Sequence, residues 1–262
     1  MSTVKRFSLT LPTPARLAPD KNAMQPAPRP DLPTLNEVLA RFAPLPRSAL
    51  FLGLAADGLP ILLNLLDPRP GPILIAGDPA CGKTRLLQTL ASSVELVHSS
   101  SPISYTVITT DAPAWNVLRR SSSCEDILAS GTPELAARLR SIVAWAHSAQ
   151  EDARSKLLLI DDLEPLLGEA EIQPDLRWLF FRGPARRVWP VVTINSATAA
   201  SDSFRPWLGS FRTRLFGHMD EDPRAQILSG SSAITFKNLI PGSQFAMREE
   251  GGWLSFWIPA FS

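Results

Sequence analysis

The sequence predicts an α/β chain wound on both sides of a mainly parallel sheet. Two short apolar runs, residues 73–76 (ILIA) and 157–160 (LLLI), each end in a polar stretch suited to phosphate or metal. Helix-compatible segments separate the apolar runs, and strand–helix alternation of this kind builds a parallel, doubly wound sheet with helices on both faces. Hairpin signals stand before the first run and near the end of the chain, so added β-hairpins are expected at both ends.

The elements follow in order. Residues 1–47 hold nine of the 25 prolines, with Lys5, Arg6, Arg16, Lys21 and Arg29 scattered among them. That composition predicts an extended or disordered tail, a linker or a docking segment, ahead of a folded body over residues 48–262. A strand begins at Ala49, Asp57-Gly58 marks a tight turn, and residues 60–65 form the return strand. The run 73–76 is the next strand, and a helix-compatible stretch begins at Arg85. Residues 103–109 read as another strand, which ends at Asp111. Over residues 133–155 a helix is expected, because Leu135, Leu139, Ile142, Val143 and Ala146 fall on one face. Thr132 and Pro133 suit its N-cap and first position. The helix feeds the strand 157–160, and a second helix, 174–181, feeds a strand over 188–195. A strand at 211–216 follows, and residues 245–248 and 253–258 flank a closing hairpin turn.

The chemistry concentrates at two places. Residues 77–84, GDPACGKT, contain Gly77-x-x-x-x-Gly82-Lys83-Thr84 between an apolar strand and a helix, which is a complete P-loop in its required context. Gly77 and Gly82 let the backbone curl so that N–H groups face phosphate oxygens. The following helix adds its free N–H groups and the positive end of its dipole. Asp78, Pro79, Ala80, Cys81 and Arg85 complete the nucleotide-contacting stretch. Lys83 is placed to reach the β- and γ-phosphates, and the Thr84 hydroxyl to ligate Mg²⁺. The second place is the end of the strand 157–160, where Asp161 and Asp162 follow four apolar residues. Ligands in open α/β sheets lie beyond the carboxyl ends of the strands. Asp161 is thus placed to hold Mg²⁺ and Asp162 to orient or deprotonate the attacking water. An Asp capping a helix would give the same two letters, and it is the P-loop upstream that favours the metal-holding reading. ATP and Mg²⁺ are the expected ligands.

Composition narrows the alternatives. A net charge of +1 gives no global field to recruit nucleic acid or anionic membrane, so any DNA contact must be local. Two cysteines, Cys81 and Cys124, do not make a disulfide framework and suggest a reducing, cytoplasmic setting. No apolar stretch approaches the roughly 18–20 residues of a membrane span. His98, His147 and His218 show no metal-ligand spacing. Leu228-Ser229-Gly230-Ser231 follows the acidic strand and lacks the Gln of an ABC-type signature. Trp145, Trp178 and Trp189 fall on predicted core elements, whereas Trp115 and Trp207 lie near polar loops and are candidates for an interface.

Taken together, the hairpin Gly53…Asp57-Gly58-x-Pro60, the stretch ILIAGDPACGKT, the strand LLLIDDLEPLL and the tail containing Pro241-Gly242 resemble the FtsK/HerA superfamily of P-loop motors. The resemblance covers most of residues 50–258 and implies a RecA-like fold. It implies ATP hydrolysis between subunits of a homo-oligomer, a hexameric ring, that moves duplex DNA through its pore. Similar modules act in conjugation and in type VII secretion, so a protein substrate is the alternative, and a nucleotide-binding regulatory or assembly module with weak turnover is a third. By position, Lys83, Thr84 and Asp161 match the family's P-loop lysine, metal ligand and metal-holding acid. Asn195 ends a strand where the family carries a polar sensor, usually Gln; a strand-end Asn that starts a turn is the plainer reading. Arg186 or Arg187 lies where the family often places an arginine that acts on a neighbour's γ-phosphate; Arg212 and Arg214 are rivals. Any of them could instead complement a helix C-terminus. Two departures stand out. Asp162 replaces the usual Glu and is one methylene shorter, which implies slow turnover, with Glu164 a possible substitute. Cys81 stands inside the loop, where Lys83 and the helix N-terminus would lower its thiol pKa unless it is a passive small residue.

Overall fold

Apolar side chains occupy nearly every position of the central strands, so these strands must be covered on both faces. The computed structural model describes residues 32–97, 103–148, 154–232, 234–249 and 252–260. Ten strands form one sheet: β1 (Ala49–Ala55), β2 (Pro60–Asn64), β3 (Ile73–Gly77), β4 (Ile103–Thr109), β5 (Cys124–Ala129), β6 (Ser155–Asp161), β7 (Val188–Asn195), β8 (Thr213–Phe216), β9 (Gln244–Glu249) and β10 (Gly252–Trp257). Their order is β2-β1-β10-β9-β8-β3-β7-β6-β4-β5. The block from β8 to β5 is parallel, whereas β9, β10, β1 and β2 pair antiparallel. The two predicted hairpins thus lie side by side and extend one edge of an α/β sheet.

Alternate residues of each central strand face different cores. Leu74, Leu158 and Val192 belong to one cluster with Leu139 and Ile142 of α3 (Glu134–Ser148) and Leu176 and Leu179 of α4 (Gln173–Arg182). Ile75, Leu159 and Val191 belong to the other, with Leu86, Leu87 and Leu90 of α2 (Lys83–Val97). The period-two side-chain alternation of a strand places these residues on opposite faces and sets α2 opposite α3 and α4.

Three expectations need correction. The tail predicted over 1–47 falls partly on residues 1–31, which lie outside the described residues. Within the rest, α1 (Leu35–Phe42) is a helix, not extended chain. Thr34 and Glu37 form a capping box, and Leu35, Val38 and Leu39 pack against Phe51, Leu54 and Leu62. The two prolines nearest this helix, Pro33 and Pro44, lie outside its bounds, so they punctuate the helix without breaking it. The helix predicted over 133–155 ends within the described residues at Ser148, and Ser155 already begins β6. The Thr132 hydroxyl donates to the Ala129 carbonyl. The strand expected from residue 211 begins at Thr213. Edge strand β5, α6 (Asp222–Ser229) and the short α5 (Arg205–Leu208) carried no clear periodicity.

Gly77 and Asn195 are paired at the ends of adjacent strands β3 and β7. Ile160 of β6 pairs with Val192 of β7, and Asp161 with Thr109 of β4. Register alone therefore gathers the loop after β3, the acidic end of β6 and the end of β7 at one rim of the sheet.

If α1 is an integral part of the domain, Leu39→Ala should cost about 2–5 kcal/mol of unfolding free energy. Urea denaturation measures it; a loss below about 0.5 kcal/mol would show that α1 is only loosely attached.

Candidate nucleotide site

The P-loop is shaped by close approach of backbone to backbone. Gly82 has φ +100°, and a Cβ there would stand 2.9 Å from Gly242 Cα. A Cβ at Gly77 would stand 2.4 Å from the Cys81 sulfur. Both glycines are needed for space, and Gly82 also for conformation. The loop is tied from outside: Asp78 N–H donates to the His218 carbonyl (2.9 Å) and Gly242 N–H to the Cys81 carbonyl (3.0 Å). The N–H groups of Gly82, Lys83 and Thr84, at the start of α2, have no backbone acceptor among the described residues. Free N–H groups at a helix start form an anion cradle.

Lys83 is half-buried, not solvent-facing. Its Nζ donates to the carbonyls of Gly77 (3.0 Å) and Asp78 (2.9 Å), bridging the neck of the loop. Thr84 Oγ1 donates to Asp161 Oδ1 at 3.0 Å, joining the P-loop helix to the end of β6. Asp161 is 8% exposed and accepts two further hydrogen bonds, from Trp115 Nε1 (3.3 Å) and Thr193 Oγ1 (3.3 Å). Burial pushes its carboxyl above the ordinary range, while the Thr84, Trp115 and Thr193 donors oppose that shift and the Asp162 charge adds to it.

Asp162 has φ +80°, a left-handed conformation that Asp tolerates better than most residues. Thr193 Oγ1 holds its N–H at 2.8 Å, and its own Oδ1 accepts from Glu164 N–H at 3.1 Å. Burial raises this carboxyl too; the Glu164 charge adds and the Lys83 charge opposes. Glu164 itself is engaged by the Thr198 hydroxyl at 2.7 Å. Asn195 is half-buried, beside Gly77, and its carboxamide has no hydrogen-bond partner among the described residues.

The structure brings Gly77, Gly82, Lys83, Thr84, Asp161, Asp162 and Asn195 together at one rim. Pro79 and Ala80 form the exposed crest of the loop, Ala80 at φ +62°. Four predicted residues behave differently. Asp78 turns its carboxylate to the Ser196 hydroxyl and to Asp220 N–H (2.8 Å), bracing the loop. Arg85 directs its guanidinium to the carbonyls of Gly242 (3.1 Å) and Pro259 (2.9 Å), so it clamps the C-terminal segment onto α2. Arg186 and Arg187 precede β7, whereas Asn195 is the last of its eight residues. At about 3.3 Å per residue, they lie roughly 26 Å from this chain's own site.

Of the two readings of Cys81 the passive one fits, and the reading of two tryptophans changes. Cys81 is 1% exposed, and burial pushes its thiol up despite Lys83 nearby. It acts as a small packing residue and not as an activated thiol. Trp115 and Trp207, expected at an interface, are both buried. Trp115 and Thr193 were not legible as site residues: one sits in a 3-10 turn, Ala112–Trp115, and the other faces sideways from a buried strand. His218 gains neighbours that spacing did not reveal, Asp220 at 3.0 Å and the Leu239 carbonyl at 3.0 Å. His147 packs against Trp178 with its ring tilted by 42°, and His98 lies outside the described residues.

The residues fit the ligands the sequence implies. Two hard oxygens, Thr84 Oγ1 and Asp161 Oδ1, already touch, a donor pair suited to Mg²⁺. Lys83 and the free N–H groups of the loop suit a polyphosphate.

No protein-family sequence profile matches the chain, and no curated protein sequence does either. Solved structures do match. The cytoplasmic domain of EssC aligns with TM-score 0.69 and 15% identity over 90% of this chain and 48% of its own. The cytoplasmic domain of the Thermomonospora curvata type VII secretion ATPase EccC aligns with TM-score 0.65 and 16% identity over 89% of this chain and 28% of its own. The genome packaging NTPase B204 of Sulfolobus turreted icosahedral virus 2, in complex with AMP, aligns with TM-score 0.54 and 10% identity over 74% of this chain and all of its own. The chain thus spans less than half the length of the EssC and EccC structures. These similarities establish the fold alone: an α/β, RecA-like sheet, shared with structures of a secretion ATPase and a packaging NTPase. Among the described residues, no helix is long and apolar enough to cross a membrane.

Removing the indole N–H by Trp115→Phe leaves a buried carboxylate short of one donor. The expected loss is about 1–3 kcal/mol by urea denaturation. A change below about 0.5 kcal/mol would show that Asp161 does not depend on Trp115.

Proposed function

We propose that the chain binds and hydrolyses ATP with Mg²⁺ as a motor ATPase of an oligomeric ring, and that it translocates or processes double-stranded DNA. The observation that carries the ATPase part is the Thr84–Asp161 contact, which closes a complete P-loop onto the acidic end of β6, across the intervening β7. In this reading Lys83 leaves the Gly77 and Asp78 carbonyls for the phosphates, and Thr84 and Asp161 hold Mg²⁺. The metal supplies charge neutralisation on the phosphates. Asp162 accepts the proton of the attacking water, and the Asn195 carboxamide, unengaged among the described residues, orients that water. Asp162 is favoured over Glu164 because the Thr198 hydroxyl holds the Glu164 carboxylate. The short side chain of Asp162 and its bond to Glu164 N–H support slow turnover.

Protein secretion is the second reading, and one observation favours it: the EssC and EccC structures superpose with higher TM-scores than the packaging NTPase. A role for Arg186 or Arg187 in the reaction requires a neighbour, since both stand at the far end of β7 from this chain's own P-loop. That requirement fits activity in an oligomer, for which a hexameric ring is the proposed form.

Lys83→Ala should abolish ATP binding in calorimetry while circular dichroism stays native; unchanged affinity would sink the P-loop assignment. Asp162→Asn should lower turnover by about a hundredfold or more with binding retained. Because burial raises the Asp162 carboxyl and a base must be ionised, the acid limb of the rate profile should lie above the ordinary carboxylate range. Loss of turnover in Glu164→Gln and not in Asp162→Asn would transfer the role to Glu164.

The rate per chain should rise with protein concentration and on adding duplex DNA. Stimulation by a secretion-signal peptide and not by DNA would favour the second reading. A strictly monomeric protein whose specific rate is independent of concentration would refute assembly.

A further inference from the structure

At the end of the sheet opposite the P-loop, between the start of β8 and the β9–β10 hairpin, lies a cavity of about 580 Å³. Among the described residues its wall carries Arg69, Arg212, Arg214, Arg248 and Trp253, and no acidic residue. The five residues of β3, about 16 Å of strand, separate this end from the nucleotide rim.

The charges here are not balanced. Asp67 neutralises Arg69 at 2.6 Å. Arg212, Arg214 and Arg248 have no carboxylate partner among the described residues. Arg214 is the most telling. Its guanidinium donates to the main-chain carbonyls of Phe211 (3.0 Å), Leu228 (2.7 Å) and Leu208 (2.9 Å). Those dipoles fix its orientation without neutralising it. Burial disfavours its charged form, and no anion offsets that cost. Arg212 and Arg248 are exposed at the same cavity. A chain with net charge +1 therefore concentrates three uncompensated guanidinia on one pocket. An incoming anion would gain from all three, in a setting less screened than open water.

The shape and the remaining wall narrow the class. Trp253 is half-buried and held edge-on by Phe216 (5.6 Å) and Phe236 (5.2 Å), so it offers a fixed aromatic surface. It pairs with Arg248 across β9 and β10. Small-molecule sites typically span about 300–1,000 Å³, the range of this cavity. Converging guanidinium forks match the several oxygens of a phosphate better than the two of a lone carboxylate.

We propose that this pocket binds a nucleoside phosphate, free or at the end of a nucleic-acid strand, with Arg212, Arg214 and Arg248 on the phosphate and Trp253 against the base. The site is separate from the P-loop and does not rest on the ATPase reading. It is therefore tested in the full chain carrying Lys83→Ala, where the P-loop is disabled. Calorimetric titrations with ADP, with a short single-stranded oligonucleotide and with a poly-glutamate peptide, each at two salt concentrations, separate the outcomes. Binding of ADP, of the oligonucleotide or of both supports the pocket, and their relative affinity tells free nucleotide from strand. Adding Arg212→Ala and Arg248→Ala, both exposed and safe for the fold, should weaken that binding about tenfold or more. It should also flatten the salt dependence by the loss of two cationic contacts. Failure of both ligands to bind, affinity unchanged by the two substitutions, or equal binding of poly-glutamate would overturn the proposal.

Discussion

Asp161 is a carboxylate from which the fold excludes nearly all water, and the site is organised around supporting it. Its three donors come from three different elements: Thr84 from the P-loop helix, Trp115 from the turn after β4, and Thr193 from β7. Each is worth little alone, but a buried carboxylate that loses a donor carries the full desolvation cost of the missing bond. The order of the sheet follows from this need. Only with β6 flanked by β4 and β7 can a hydroxyl and an indole approach the same carboxylate from either side. Thr193 then serves twice, because it also holds the Asp162 N–H and so fixes the unusual backbone of the proposed base.

The parallel core and both hairpins were legible because they depend on local pattern. Runs such as 157–160 are apolar without interruption, Asp57-Gly58 is a strong turn dipeptide, and residues 249–252 form a polar, Gly-rich break between two apolar runs. The P-loop and Asp161 were legible for the same reason. What could not be read depends on contacts between distant residues. Arg85 follows Lys83-Thr84 directly and still turns to Gly242 and Pro259. Residues 35–42 were hidden by the prolines around them, although Thr34 and Glu37 carry the capping-box letters at the required spacing. The grouping of Arg69, Arg212 and Arg248 arises where β3, β8 and β9 share one end, an adjacency set by sheet order.

The two ends of the sheet are chemically unlike. At the carboxyl ends of the parallel strands the anions are built in, and a cation is wanted beside Asp161. At the opposite end guanidinia outnumber carboxylates. A polarity of this kind, carried on rigid parallel strands, lets one domain address two ligands without the sites competing for space. The aromatic packing of Phe216, Phe236 and Trp253 keeps the second end as firmly shaped as the first.

The clamp by which Arg85 and Gly82 meet Gly242 and Pro259 has a bearing on how the molecule is made. Those partners lie 157 and 174 positions along the chain from Arg85. During synthesis the P-loop segment leaves the ribosome long before the residues that brace it. Contacts of such sequence separation form late, since loop closure opposes them until the intervening chain has ordered. The anion cradle is thus among the last features to be finished. A nascent chain would display the P-loop letters without a braced site until the segment around β9 and β10 emerges, and only then would the anion cradle be completed.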